Sequence, residues 1–543
     1  MNFKNIKHTT AVKTSTICLG LGLTLCATPV LTSCSTDDLD IEQRGVLTTN
    51  EYKTANDSEM KQFLAAVYAG LIGDSYEAVL MGQPASWRAF QYELNRMGAE
   101  TANYYTYTET ADANTYKYIW SYFYRTCYWC SMIIENAQDN TVCSADVKNR
   151  VIAEARAIRA IQMMYIVQLY GDAPLADKIL DGSESNTPAA DSWTFIESEL
   201  NAAAEILPSK SGLGGQATIG GRLTKEACYA YLGKAQLWQK KYDEAVTTLD
   251  KVISSQKYAL YDDYATYNSA KSDFADENIW EFDFNEDPAN NKSQEGAFDL
   301  CCFAPNVSYW WDGIHGSLLL TFGMGGNASA DFVNFLVQHD EGQMERMNAD
   351  VMEVCAASMS GMVTNPISEC EGYYKMKDAV LAEDLVGELP YYYTTRNTVF
   401  MRYSEVLLNY AEACVQSGKQ GNITAVDAIN TVRNRSGLSS LSTVTLQDVK
   451  DEDRAEFYGE GHRFIDLVRW GDAPTELKDC GKKLYTCTLG TPFEVSGITM
   501  YFSKEISSSE TGGKGFQANK NELFPIPSSE INQNPSLKQN KGW

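Results

Sequence analysis

"EACYAYLGKAQLWQKKYDEAVTTLDKVISS", Glu226 to Ser255, is the stretch that decides the fold. Apolar and small residues recur at three- and four-residue spacing on both sides of Lys240-Lys241, which predicts two amphipathic helices joined by a tight turn. Tyr229, Leu232 and Gly233 place a large, a branched and a small residue on one face of the first helix, and Ala245, Leu249 and Val252 answer them on the second. Paired helices approach closely only where little side chain stands between them.

That spacing matches a tetratricopeptide-like hairpin, and working outward from it gives three more. "RYSEVLLNYAEACVQSG" followed by "TAVDAINTVRNRSG" makes a pair over 402–437. "NRVIAEARAIRAIQMMYIVQLYG" with "WTFIESELNAAAEILP" makes another over 149–208, its helices stopped by Gly171 and Pro208. An earlier pair combines 58–71 with 116–137. The expected fold is therefore predominantly α: four tetratricopeptide-like pairs, near 58–137, 149–208, 223–255 and 402–437, form a scaffold into which long irregular loops and short strands are inserted. Residues 257–400, rich in Gly, Asn and aromatic residues, with strand-like runs such as "NIWEFDF", are too long for a passive connection. Irregular segments on a rigid frame are where binding residues concentrate.

The beginning of the chain carries a different message. Lys4, Lys7 and Lys13 precede a largely apolar run from Ile17 to Leu31, with no acid before residue 34. A basic start and a short greasy segment mark an export signal. Crossing a bilayer takes roughly 20 residues, so a permanent span is disfavoured. Leu31-Thr32-Ser33-Cys34 resembles the lipobox of bacterial lipoprotein signals, which makes residues 1–33 the leader and Cys34 the acylated first residue of the mature chain. A plain secretory signal beside an ordinary cysteine is the alternative. Residues 34–50, with Asp37, Asp38 and Asp40 and no apolar period, form a lipidated tether. The body spans 51–543.

Composition sets limits. The chain of 543 residues has a net charge of −26, and removing the leader takes away three lysines and no acid, leaving about −29. Such a polyanion is repelled by nucleic acid and by anionic lipid. Fourteen cysteines fall to eleven once Cys18, Cys26 and Cys34 are set aside. Cys127 and Cys130 form a lone C-x-x-C with no second half, which argues against zinc. Export permits disulfides, but their connectivity cannot be read from sequence.

Five further stretches carry a family resemblance. "AEARAIRAIQMMYIVQLYGDAPL" (153–175), "RYSEVLLNYAEA" (402–413), "VRNRSG" (432–437), "EFYGEGHRFIDLVRWG" (456–471) and "LFPIPSSEINQNPSLKQNKGW" (523–543) stand in this order behind the lipobox. Together they resemble the SusD/RagB family of outer-membrane nutrient-binding lipoproteins over nearly all of the mature length. The resemblance implies a non-catalytic subunit, lipid-anchored in the outer membrane and facing the cell exterior. It would bind oligosaccharide or polysaccharide fragments and deliver them to a partner SusC-like TonB-dependent transporter. A peptide- or glycopeptide-binding subunit of the same machine is the runner-up, and a helical scaffold that binds only protein is the third reading. The markers themselves read as structural: Arg463, Asp466 and Arg469 sit three apart, so the carboxylate can meet a guanidinium on either side. His462 reads as a packing or capping residue.

Sugar capture needs flat aromatic surfaces ringed by polar groups. "NVSYWWDGIHG", 306–316, offers Tyr309, Trp310, Trp311 and the acceptor Asp312. A second set, Trp87, Tyr104 and Tyr105, follows the first helix. The competing reading of both sets is ordinary packing, whereas 118–136, aromatic on all sides, reads as buried helix. Nothing nominates a catalyst. A glycosidase needs two carboxylates across one bond, and no pair stands out. His8, His315, His339 and His462 are the only histidines, and no H-E-x-x-H or G-x-S-x-G motif appears. No cofactor is expected. The acidic loops are compatible with a structural calcium, but no EF-hand loop and no ligand set can be named.

Overall fold

The computed structural model describes residues 49–72, 106–212, 221–284, 309–311, 318–320, 327–354, 365–377, 384–388, 391–495 and 498–543. Among the described residues, seven helices come first: α1 (Thr49–Thr54), α2 (Asp57–Ile72), α3 (Asn114–Ala137), α4 (Ala145–Tyr170), α5 (Ala189–Ile206), α6 (Lys225–Trp238) and α7 (Tyr242–Ser254). Each of α3 to α6 packs on the next in sequence, and α2 lies against both α3 and α4. The 26 residues of α4 span about 39 Å. From Val151 onward it is buried on nearly every side, with alanines at 153, 155, 157 and 160 letting its neighbours in. Its one fully buried acid, Glu154, is paired three ways: Tyr68 donates from α2 (2.8 Å), Arg150 from the preceding turn (2.9 Å), and Arg222 from the approach to α6 (2.7 Å). An ionised carboxylate survives burial only with such partners.

The decisive hairpin forms as its spacing demands. Thr224 caps α6 by accepting from Ala227 N (3.2 Å), and Gln239 to Lys241 turn the chain into α7. Gly233 sits so close to α7 that a Cβ there would lie 2.4 Å from Cγ and Cδ2 of Leu249.

The long insertion leaves through β1 (Asn278–Phe282). Two short strands, β2 (Tyr309–Trp311) and β3 (Leu318–Leu320), pair antiparallel. Next come α8 (Ala330–His339), α9 (Glu345–Asp350), β4 (Val351–Glu353), β5 (Ile367–Ser368), β6 (Tyr373–Lys375), β7 (Leu385–Glu388) and β8 (Tyr391–Thr394). Chain return is through β9 (Thr398–Arg402), which pairs antiparallel with β1. Trp280 at this base donates its indole N–H to Gly221 O (3.1 Å).

Beyond the insertion, α10 (Tyr403–Ser417) packs on α7 and on α11 (Ala425–Arg435), so the scaffold closes over the insertion's exit point. The next two helices are α12 (Leu446–Glu456) and α13 (Arg463–Trp470). Thr424 with Asp427, and Thr445 with Asp448, form complete capping boxes at the starts of α11 and α12. Strands β10 (Lys483–Leu489), β11 (Pro492–Val495), β12 (Ile498–Tyr501) and β13 (Lys504–Glu510) follow; β10 is central in a sheet of order β13-β10-β5, and β11 pairs with β12. The closing segment with its "FPIP" run is tied to the body by hydrogen bonds to the end of α4. Phe524 N donates to Leu169 O (2.6 Å), and Asn540 donates to Tyr170 O (2.9 Å).

The fold is predominantly α, with helix pairs as scaffold and short strands inserted. The leader reading for 1–33 lies outside the described residues, as does the tether reading for 34–50 except at residues 49 and 50, where α1 begins.

Candidate functional site

The insertion stands on a buried ionic base. Arg402, ending β9, contacts Glu277 (2.9 Å), Glu456 (2.5 Å) and Glu460 (2.7 Å). Arg435 on α11 meets Glu277 (3.2 Å) and also Glu456. Arg346 on α9 joins Glu456 (3.1 Å), Asp340 (3.3 Å) and Glu452. Lys377 reaches Glu460 (2.8 Å), and Arg433 reaches Glu452 (3.1 Å). Burial alone would raise the Glu456 carboxyl, but three guanidiniums converge on it and hold it well below the usual carboxylate range. Glu460 is likewise held down to about 2 by Arg402 and Lys377 against its burial. The base is therefore ionised, and it joins segments of the insertion to α11 and α12.

Two acids nearby behave oppositely. Burial pushes Asp350 up to about 7, although Lys377 faces it and Tyr264 donates to it (2.9 Å). Asp273, accepting from Asn397 N (2.9 Å), also rises to about 7 through burial. Asp350 is fully buried against its tyrosine donor, whereas Asp273 is half-buried with a backbone donor.

Of the nominated ligand residues, Tyr309, Trp310 and Trp311 form β2, in register with Leu320, Leu319 and Leu318 of β3, so their backbone is strand rather than irregular loop. Trp87, Tyr104, Tyr105, Asp312 and Cys34 lie outside the described residues. A pair that sequence reading missed lies on the β11–β12 hairpin. Phe493 and Phe502 stack at 3.7 Å and 13°, with Phe502 79% exposed. Their only signal in the sequence is an aromatic at each end of the hairpin.

His462 stacks on Phe457 (4.4 Å, 11°) with Nε2 3.8 Å from Glu405, and burial lowers its pKa. It is a packed imidazole whose charged form burial disfavours. Asp453, His462 and Asp466 bring potential ligand atoms within 4.8 Å of one another. Asp466, however, is paired with Arg469 (2.8 Å), and Arg463 and Arg469 face Asp453, so guanidinium charge already supplies the cation there. Arg469 extends the same cluster to Glu412 on α10.

A cleft at the insertion base is lined by Lys210, Arg222, Tyr258, Phe274, Trp280 and Glu281. Its free space of about 30 Å³ holds one or two waters, not a sugar ring.

The sequence profile of the SusD family matches residues 363–543. A SusD-like protein, P25, from Formosa agariphila is 23% identical over 412 residues, covering 68% of this chain and 72% of its own length. Among solved structures, a laminarin-binding SusD-like protein superposes with a TM-score of 0.71 at 23% identity, over 90% of this chain and all of that one. Surface glycan-binding protein A from Bacteroides fluxus gives 0.72 at 20% identity over the same shares. The family match thus lies in the C-terminal third of the chain, and the fold is like that of these SusD-like structures over 90% of its length.

Proposed function

We propose that this protein captures oligosaccharide or polysaccharide fragments at the outer face of the outer membrane. It passes them intact to a SusC-like TonB-dependent transporter. The observation that carries this reading is the likeness of fold, over 90% of the chain, to a protein named for laminarin binding. The chemistry agrees: a long insertion rises from a rigid base and carries the Tyr309-Trp310-Trp311 strand, and an exposed phenylalanine stack lies on the β11–β12 hairpin. Pyranose rings have apolar faces that stack on such surfaces and hydroxyls that need acceptors such as Asp312. Trp87, Tyr104 and Tyr105 complete the proposed platform. The negative charge favours uncharged glycans over sulfated ones, because like charges repel.

Acylation at Cys34 is the proposed anchor; each buried methylene adds about 0.8 kcal/mol of membrane affinity. No helix among the described residues is long and apolar enough to cross a bilayer.

Electrophoresis of the mature protein through gels containing single polysaccharides tests the reading. Retardation by at least one glycan is expected, with no new reducing ends after long incubation. Binding of peptide digests with no response to any carbohydrate would replace glycan with peptide as cargo. Release of reducing ends would make the protein an enzyme.

A further inference from the structure

Beside the scaffold lies a small second core made of Val354, Ile367, Cys370, Tyr374, Met376, Cys487 and Leu489. It contains two fully buried cysteines, 117 residues apart in sequence, and both are free thiols in this structure. Strand β5 pairs with β10 so that Ile367 faces Cys487. The pairing then bulges: the amides of Glu369 (2.8 Å) and Cys370 (3.3 Å) both donate to Tyr485 O, two residues opposing one. A bulge re-aims the side chain that follows it. Here it turns Cys370 onto the face that carries Cys487, where the two thiols hydrogen-bond each other. The Cys370 sulfur is held from behind by Gly372 N (3.3 Å), in a turn where Glu369 and Gly372 both have positive φ.

We propose that Cys370 and Cys487 are a disulfide site, closed in the exported protein by a thiol–disulfide exchange partner. The reaction balances as two protein thiols plus one oxidant disulfide giving one protein disulfide plus two oxidant thiols. We take Cys487 as the attacking group, since Lys504 faces it and favours its thiolate against burial. Its thiolate displaces one oxidant sulfur to form a mixed disulfide, and the leaving thiolate takes up the proton. Cys370 then attacks that mixed disulfide at the Cys487 sulfur and releases the second oxidant thiol. The bond would tie β5, inside the insertion, to β10, beyond the scaffold helices, and so close a loop of more than a hundred residues. Cross-links across long loops restrict the unfolded chain most. By contrast, Cys127 and Cys130 lie one turn apart on α3 with both thiols pushed up by burial. A bond between them would close almost no chain.

Peptide mapping under non-reducing conditions tests the site. The full mature protein is recovered in one arm from an exporting host. In the second it is equilibrated folded with a mixture of reduced and oxidised glutathione, then unfolded and alkylated. A 370–487 cross-linked peptide is expected, with two fewer alkylated thiols per chain than after dithiothreitol. The melting temperature should also fall by several degrees on reduction, whereas C370S/C487S should be indifferent to reductant. Full alkylation of both cysteines in both arms, or a cross-link from either to another cysteine, would overturn the proposal. The wild-type map decides this even if the double variant folds poorly.

Discussion

Glu456→Gln is the sharpest perturbation of the insertion's base. The substitution keeps the shape and one accepting oxygen, so it opens no cavity; it removes the charge and turns an amide NH2 donor toward guanidinium donors that both carboxylate oxygens now serve. In the native protein this carboxylate faces Arg402, Arg435 and Arg346. None of the three is orphaned by the change, since Arg402 keeps Glu277 and Glu460, Arg435 keeps Glu277, and Arg346 keeps Glu452. Three charge-assisted contacts at roughly 1.5–3 kcal/mol each set an upper limit, but the retained partners reduce it. Breaking a buried pair on one side typically costs about 3–5 kcal/mol, and about 4 kcal/mol is the expectation here. That corresponds to roughly a thousandfold shift toward the unfolded state, a large part of a stability of about 5–15 kcal/mol. Urea unfolding followed by tryptophan fluorescence and far-ultraviolet dichroism measures it. The exposed Lys419–Asp243 pair serves as control, because Asp243→Asn should cost less than about 1 kcal/mol. Limited proteolysis should show new cuts between residues 283 and 397. A Glu456→Gln protein that melts with the Asp243→Asn control and gains no cuts would refute the claim that this base holds the insertion.

Stability should peak in mildly acidic solution. Asp350, raised to about 7, contributes stability that is fully present below its unfolded value and is lost as pH rises through about 7. Glu460, lowered to about 2, contributes stability that is present above its unfolded value and is lost as pH falls through about 2. Melting temperatures should therefore fall from about pH 4 to about pH 7, and Asp350→Asn should reduce that slope while leaving the part that Asp273 contributes; a wild type already flat over this range would contradict the assignment. Gly233→Ala should destabilise by about 1–3 kcal/mol through collision with Leu249, and combining it with Leu249→Ala should cost less than the sum of the two single changes. Trp310→Ala with Trp311→Ala should weaken glycan retardation by a few kcal/mol at most without shifting the melting curve, and Phe502→Ala should do so separately. Unchanged affinity in all of these would remove both aromatic sets from the platform.

Sequence periodicity reached the scaffold because helix pairing is local. Gly233 opposite Leu249, and Gly171 ending α4 at φ +66°, are consequences of spacing within one or two turns. The ion pair of Asp466 with Arg469 was legible for the same reason. Its extension to Glu412, 57 residues earlier, was not, and neither was the contact of Arg402 with Glu277 across 125. "VRNRSG" and "EFYGEG" showed that charges recur there but not that Arg433, Arg435, Glu456 and Glu460 are partners of the insertion. The aromatic runs could be nominated from composition, while their assembly depends on how the insertion folds. Phe493 and Phe502 meet only because β11 and β12 pair across a hairpin that no apolar alternation announced.

The contrast between base and platform explains why the molecule tolerates so much buried charge. A 115-residue excursion from Phe282 to Thr398 leaves and re-enters the scaffold at one antiparallel pair of strands. An apolar seat at that place would accept many registers, because hydrophobic burial is non-directional. Guanidiniums that each meet two or more carboxylates in fixed geometry accept few. The arrangement costs desolvation, which the converging charges outweigh at Glu456 and Glu460 and only partly offset at Asp350 and Asp273. Orientation of the insertion is thus set at its root by ions. Phe502, exposed at the end of the β11–β12 hairpin and outside the insertion, takes no part in that base.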